Sequence, residues 1–245
     1  MEKISGNWSG YRELILDDKV QECSGIISFY FKAKDGGKLS KHKAGQFLPF
    51  RIKTEDEKYK NEMRTYSLSN YPNEEVYRIS VKRVEGGLIS NYLHNELNIG
   101  DSIEAMMPMG SLTIKNSSKN SPIVLISGGI GVTPLISMLY EESANNSNIH
   151  FIQALQNSEV HPFRDDIDFI ANNKNIKNTV FYSKPLECDE EGTNYDVKGR
   201  VSKEWIEDNI NLVSDFYICG PPPFMKGIEG YLLELGVNKE KINYE

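Results

Sequence analysis

A chain of 245 residues, 39% apolar and 26% charged, is long enough to bury two cores, and two domains of similar size fit that length. Its net charge of −7 and pI near 5.3 exclude the broad basic face with which a nucleic-acid binder neutralises phosphates, while allowing an anionic nucleotide held by local groups. No run of about 18 apolar residues is present, and Met1-Glu2-Lys3-Ile4-Ser5 lacks the apolar core of a signal peptide, so a cytoplasmic protein without membrane insertion is expected.

The first half carries short alternating or apolar runs at Tyr11 to Leu16, Ile26 to Ala33, Gln46 to Lys53, Thr65 to Leu68, Val76 to Arg83 and Ser102 to Met106. Closely spaced Gly, Asp and Asn turn signals separate them, which predicts an antiparallel strand set closed into a β-barrel. The charged stretch Thr54 to Glu62 reads as a solvated loop. One helix interrupts the strands, opening after Gly86-Gly87 and running through Ser90, Tyr92, Leu93 and Leu97 to Gly100.

The polar run Lys115 to Ser121 marks a domain boundary, with domains expected over 1–115 and 116–245. Beyond it, apolar runs alternate with helical periodicity. Ile123 to Ile126 leads to a helix from Pro134; Ile149 to Leu155 leads to a helix carrying Phe163, Ile167 and Ile170. Val180 to Tyr182 precedes a Trp205-Ile206 helix opened by Ser202, and Phe216 to Cys219 precedes a last helix with Ile228, Leu232 and Leu235. Continuous apolar strands between helices predict an α/β domain with a parallel sheet buried on both faces.

Chemistry concentrates in four places. In Arg64-Thr65-Tyr66-Ser67-Leu68-Ser69, residues two apart share a face, so Arg64 and Tyr66 project together. One suits a phosphate and the other a planar ring, with Ser67 adding polar contacts; a flavin nucleotide asks for that combination. The six residues alone read equally as a barrel strand with a surface arginine. Gly86-Gly87 ahead of a helix brings free amides to an anion without any lysine, or is a plain turn with Ser90 as helix cap. Ser127-Gly128-Gly129-Ile130-Gly131-Val132-Thr133-Pro134 lies between a strand and a helix, where doubly wound sheets bind dinucleotides. There Gly128, Gly129 and Gly131 are expected to clear side chains from a pyrophosphate, with Thr133 as N-cap and Pro134 as first helical residue. Tyr217-Ile218-Cys219-Gly220-Pro221-Pro222-Pro223-Phe224-Met225 ends another strand in a rigid proline turn. Cys219 reads as a thiol facing the crevice or as a small buried hydrophobe. Cys23, Cys188 and Cys219, without a CxxC pair, and four histidines without ligand spacing predict neither disulfides nor a metal centre.

The order of RTYSLS, VKRVEGGLISNYL, GDSIEAMMPMGSL, SGGIGVTPLISML, YICGPPPFM and the closing INYE resembles the ferredoxin–NADP reductase superfamily, and most of all the FAD/NAD-binding reductase portion of flavohaemoglobins, from about Trp8 to Glu245. The resemblance implies that Arg64 pairs with the flavin diphosphate, that Tyr66 packs on the isoalloxazine and that Ser67 lies near its N5. It implies amides and a hydroxyl for the same diphosphate from Gly86, Gly87 and Ser90, with main-chain contacts from Val81 and Lys82. It assigns the nicotinamide nucleotide to Gly129, Gly131 and Thr133, and the nicotinamide to Cys219, Gly220 and Pro221.

A flavin-dependent NAD(P)H oxidoreductase module is therefore expected, using FAD and NADH, with NADPH as the alternative nucleotide. The stretch Tyr182-Ser183-Lys184-Pro185 favours NADH, because NADPH-specific relatives tend to place Ser-Arg there and lysine lacks the bidentate fork. Ser67, Cys219 and Glu245 are the expected catalytic-site side chains. Relatives carry an aromatic residue after the terminal Tyr-Glu, and the sequence stops at Tyr244-Glu245, which predicts an open nicotinamide face on the flavin. The acceptor is expected to be a haem, iron–sulfur or flavodoxin-type protein or a small molecule. The alternatives are an electron-transfer subunit or fragment of a fused protein, and a nucleotide sensor on the same scaffold.

Overall fold

The computed structural model describes residues 6–60, 62–115, 121–144, 148–174 and 176–244. The chain divides into two compact units, Met1–Thr113 and Ile114–Glu245. Most of the Lys115 to Ser121 run lies outside the described residues.

The first unit holds six antiparallel strands: β1 (Arg12–Cys23), β2 (Ile26–Ala33), β3 (Phe47–Ile52), β4 (Met63–Ser67), β5 (Tyr77–Lys82) and β6 (Ser102–Ala105). They form one sheet in the order β4-β3-β6-β1-β2-β5. A bridge between Leu68 and Ile79 and the Ser69 N–H donating to the Arg78 carbonyl at 2.8 Å join the two outer strands, so the sheet closes into the expected barrel. Leu14, Phe29, Phe31, Leu48, Phe50, Ile79 and Ile103 alternate inward and are fully buried. β1 is twice the expected length, because Asp17-Asp18 sits at a register shift between Leu16 and Asp18 rather than at a turn.

Helix α1 (Leu88–Asn95) packs Ile89 and Leu93 into the barrel core. It ends before the expected Gly100, and the Lys19 ammonium donates to the carbonyls of Leu93, His94 and Leu97 at 3.1, 2.9 and 3.1 Å. A cation on carbonyls left unpaired at a helix end stabilises that end. The Thr54 to Glu62 stretch is not wholly solvated. Tyr59 is 4% exposed, its ring 4.7 Å from that of Tyr92 and its hydroxyl donating to Glu96 at 2.7 Å, which pins the segment to α1.

The second unit holds a parallel sheet of β7 (Ile123–Gly128), β8 (Ile149–Leu155), β9 (Lys177–Tyr182), β10 (Val197–Lys198), β11 (Asp215–Cys219) and β12 (Ile242–Tyr244), in the order β10-β9-β8-β7-β11-β12. Helices α2 (Val132–Glu142), α3 (Arg164–Lys174), α4 (Lys203–Asn209) and α5 (Pro222–Glu234) connect the strands. Every residue of β7 is buried, as a strand covered on both faces requires. The chain winds outward from β7 through β8 to β10, then returns to place β11 on its other side. That reversal puts the carboxyl ends of β7 and β11 at a topological switch point. Ser202 caps α4, accepting from the Trp205 N–H at 3.2 Å. β10 and β12 escape sequence reading, since two and three residues are too few to show a period.

Candidate functional site

In the first unit, the register sets Arg64 opposite Phe50 and Tyr66 opposite Leu48, so the two side chains share a face of β4. One face of Tyr66 is backed by Phe50, the rings stacked at 5.8 Å and 28°, and the residue remains half-buried. Burial raises the pKa of its hydroxyl, which stays protonated. The Arg64 guanidinium is exposed, donating to the Met63 carbonyl at 2.8 Å and lying 2.8 Å from Glu62. Ser67 pairs with Phe47 on the opposite face and is half-buried.

The loop after β5 supplies the second part. The Val81 carbonyl accepts from His94 Nε2 at 2.8 Å, which fastens the loop base to α1; burial lowers the His94 pKa, so the ring donates while neutral. Lys82 is exposed at the strand end. Gly86 has φ +69 with open space where a Cβ would stand, and Gly87 takes the N-cap position of α1 without a side-chain cap. Ser90 does not cap the helix; its hydroxyl accepts from the Val84 N–H at 3.3 Å, and Asn91 donates to the Val84 carbonyl at 2.8 Å. A left-handed glycine followed by uncapped helical amides fits an anion. With the half-covered ring of Tyr66 and the exposed Arg64, the unit's own residues fit a flat ligand bearing phosphate.

In the second unit, the turns after β7 and β11 interlock. A Cβ on Gly131 would stand 2.2 Å from the Cys219 carbonyl oxygen, and Cβ atoms on Gly128 and Gly220 would stand 2.8 Å from the Phe224 ring. These three glycines therefore admit neighbouring protein atoms, a packing requirement beside the expected ligand path. Gly129, with φ +54 and nothing within 4 Å, faces open space. Thr133 is the second residue of α2 rather than its N-cap; its hydroxyl donates to the Ile130 carbonyl at 3.1 Å, and Pro134 is the third. The N-cap is Gly131, after a 3₁₀ turn over Gly129–Gly131. Pro221 is the N-cap of α5, with Pro222 and Pro223 in its first turn, so the proline run opens a helix where missing N–H groups cost nothing. Cys219 ends β11, half-buried and in register with Ser127 of β7. Glu245 lies outside the described residues.

Tyr182 ends β9, and Lys184 follows two residues later. Lys184 is exposed, with its N–H donating to the Gln156 carbonyl at 2.9 Å. Tyr182 is fully buried, and its hydroxyl lies 2.8 Å from His161 Nδ1, whose Nε2 lies 3.1 Å from Gln153 Oε1. Gln153 donates to Asn178 at 3.1 Å, and Asn178 to Asp168 at 3.0 Å. That polarity assigns the His161 proton to Nε2 and makes Tyr182 the donor. Burial holds the His161 pKa down to about 3, so the ring is neutral. A cavity of about 500 Å³ beside α3 is lined by Arg164, Asp168, Lys177 and Asp196, and by none of the expected site residues.

Sequence reading missed Glu62, His94, Asn91 and Phe224. Phe224 stands inside the CGPPPFM run, while the partners of the other three, Arg64 for Glu62, Val84 and Gly87 for Asn91 and Val81 for His94, are set by how the loops before β4 and after β5 turn.

The barrel and the parallel sheet with its two interlocked turns define an FAD- and NAD-binding oxidoreductase. The family description "Oxidoreductase FAD-binding domain" matches residues 13–114, and "Oxidoreductase NAD-binding domain" matches residues 125–230. The chain is 40% identical over 249 residues to a flavohemoprotein of Bacillus thuringiensis subsp. konkukian, covering 98% of this chain and 61% of that protein. A flavohemoprotein of Rhizobium meliloti is 39% identical over 252 residues, covering 100% and 62%. The crystal structure of the flavohem-like FAD/NAD-binding domain of nitric oxide dioxygenase from Vibrio cholerae superposes with TM-score 0.86 at 30% identity, over 96% of this chain and 97% of that one. The chain belongs to the flavohaemoprotein family of FAD/NAD-binding reductase domains, and it spans about three fifths of the length of the curated relatives it matches. The cytochrome b5 reductase domain of Ulva prolifera nitrate reductase shares the fold, with TM-score 0.81 at 21% identity. Among the described residues, no helix is long and apolar enough to cross a membrane.

Proposed function

We propose that the chain works in the cytoplasm as a reductase module that moves hydride from NADH to FAD and sends the electrons on to a haem, iron–sulfur or flavodoxin-type acceptor or a small molecule. Residues 1–115 hold the flavin and residues 116–245 the nicotinamide nucleotide. FAD, when bound, supplies the hydride-accepting and electron-relaying chemistry. Arg64 binds the diphosphate from β4, and Gly86, Gly87 and Ser90 present the loop and helix amides to it, with Val81 and Lys82 shaping the loop base. Tyr66 packs on the flavin ring system, and Ser67 supplies polar contacts beside it. Gly129 brings main chain close to the nucleotide, Gly131 and Thr133 position the start of α2, and Cys219, Gly220 and Pro221 orient the nicotinamide. Glu245 is assigned to the same end of the site by the family resemblance.

The observation that carries this reading is the pairing, within one barrel, of Arg64 and Tyr66 on a single strand face with the open, left-handed Gly86 ahead of an uncapped helix. The experiment is a flavin titration of purified wild type and Arg64→Ala. Wild type is expected to take up FAD in equal stoichiometry and the variant to lose it while keeping its circular dichroism. Equal FAD uptake by both proteins contradicts the assignment. The relatives' greater length supports placing the acceptor on further chain or on a separate protein.

A further inference from the structure

With φ −112 and ψ 109, Gly128 sits in backbone that any residue adopts, so what requires glycine there is space. One side chain takes that space: three atoms of the Phe224 ring would stand 2.8, 3.0 and 3.1 Å from a Cβ at Gly128, and the same ring would stand 2.8 Å from a Cβ at Gly220. The Gly220 Cβ would also meet the Gly128 main chain at 3.0 and 3.1 Å, so the two turns touch through their glycines with the ring against both. Strand pairing holds the two glycines unequally. Gly128 ends β7 in register with Ala154 of β8, while Gly220 lies one residue beyond the last pair of β11, Cys219 with Ser127. Pro221, Pro222 and Pro223 are exposed, which makes Phe224 the first residue after Gly220 to pack on the core of this unit, against the cluster containing Ile126, Ile218 and Ile228. Its N–H donates to the Pro221 carbonyl at 2.9 Å, which ties the ring to the turn.

We infer that Phe224 is a positioning residue whose ring fixes the Gly220 turn against the end of β7 and so sets how the nicotinamide is oriented. This rests on the reading of Cys219, Gly220 and Pro221 as the nicotinamide turn and of Gly129 as the main-chain contact of the nucleotide. Removing the ring takes the backing from both glycines. Strand pairing still holds Gly128, and with it the adjoining Gly129, whereas Gly220 has no ladder pair of its own. The loss therefore falls on the orientation of the nicotinamide rather than on binding of the rest of the nucleotide, and hydride transfer is steeply sensitive to such misplacement.

The test uses the full chain and Phe224→Ala, with Phe224→Leu, which keeps most of the apolar volume, carrying the same comparison should the first not fold. Two quantities are compared with wild type: the limiting rate of flavin reduction by saturating NADH in anaerobic single-turnover mixing, and the affinity for ADP-ribose, the nucleotide without its nicotinamide, by titration calorimetry. The rate is expected to fall on the order of tenfold or more, while the ADP-ribose Kd stays nearly unchanged. An unchanged rate, or an ADP-ribose affinity lost by the same factor as the rate, overturns the positioning role. Gly128→Ala supplies a readout that needs no flavin. Its methyl group overlaps the Phe224 ring but has room once that ring is removed, so the urea midpoint lost on adding Gly128→Ala should be smaller in the Phe224→Ala background than in wild type. Additive losses overturn the contact on which the inference stands. Wild type that is reduced by NADH and binds ADP-ribose, beside a Phe224→Ala variant that matches it, leaves the reading of the two turns standing and only Phe224 falls. Wild type that fails either measurement overturns that reading as well.

Discussion

At Arg64 one guanidinium meets an exposed carboxylate and a carbonyl, so its removal takes away a ligand contact and little of the core. Arg64→Ala is expected to weaken FAD binding by on the order of tenfold or more, the scale of a charge-assisted hydrogen bond, with the unfolding midpoint of the flavin-free protein nearly unchanged. Cys219 ends β11 beside the turn assigned to the nicotinamide. Cys219→Leu should slow flavin reduction by NADH in single-turnover mixing, on the order of ten- to a hundredfold, without loosening FAD; an unchanged rate removes Cys219 from the site. The pairing of Arg64 with Tyr66 was legible because strand periodicity is local. Glu62 was not, because it lies outside the strand, in a charged loop where periodicity does not say which way a side chain points. The N-cap reading of Thr133 fails for a related reason: a Thr-Pro pair resembles a helix start, while α2 starts two residues earlier, capped by Gly131 after the 3₁₀ segment.

The elements that carry the site are fastened by single side chains. Tyr59 ties the segment before β4 to α1, and Tyr59→Ala should cost about 3 to 5 kcal/mol as a buried aromatic truncation. Tyr59→Phe, which removes the hydroxyl's bonds to Glu96 and from the Lys58 ammonium and keeps the ring, should cost about 1 kcal/mol. Urea denaturation of the two variants separates these terms, and near-equal losses contradict the packing role. The turns after β7 and β11 share space, so Gly131→Ala forces a methyl group onto the Cys219 carbonyl. A destabilisation of about 1 to 3 kcal/mol is expected from such overpacking, together with weaker NADH binding and unimpaired FAD binding. The glycines of SGGIGVTP were legible as a turn between strand and helix. Their packing function was not, because it depends on Cys219 and Phe224, about 90 residues away in sequence. The longer strands were readable from their apolar runs; β10 and β12 were not, and the bulge in β1 hid behind two aspartates that imitate a turn.

Across the molecule, the neutral imidazoles of buried His42 and His161 and half-buried His150 set the acid response. Burial lowers the pKa of His42 to about 4, of His150 to about 4 and of His161 to about 3, from an ordinary value of 6.5. The unfolded chain binds protons at these rings near pH 6.5 while the folded chain does not. Their contribution is therefore complete above pH 6.5 and is lost progressively as pH falls toward about 4 for His42 and His150 and about 3 for His161. The thermal midpoint should fall across that window, and His161→Gln should flatten part of the slope; a midpoint independent of pH there contradicts the neutral, buried assignment. The exposed Lys184 offers a 2′-phosphate one charge without a fork, so kcat/KM should favour NADH, and a tenfold advantage for NADPH would contradict that preference. The central claim is that the barrel holds a flavin that nicotinamide can reduce. Anaerobic mixing of the FAD-loaded protein with NADH tests it most directly: the visible flavin absorbance is predicted to bleach in proportion to NADH oxidised, and a flavin band that persists under excess NADH and NADPH would contradict the account.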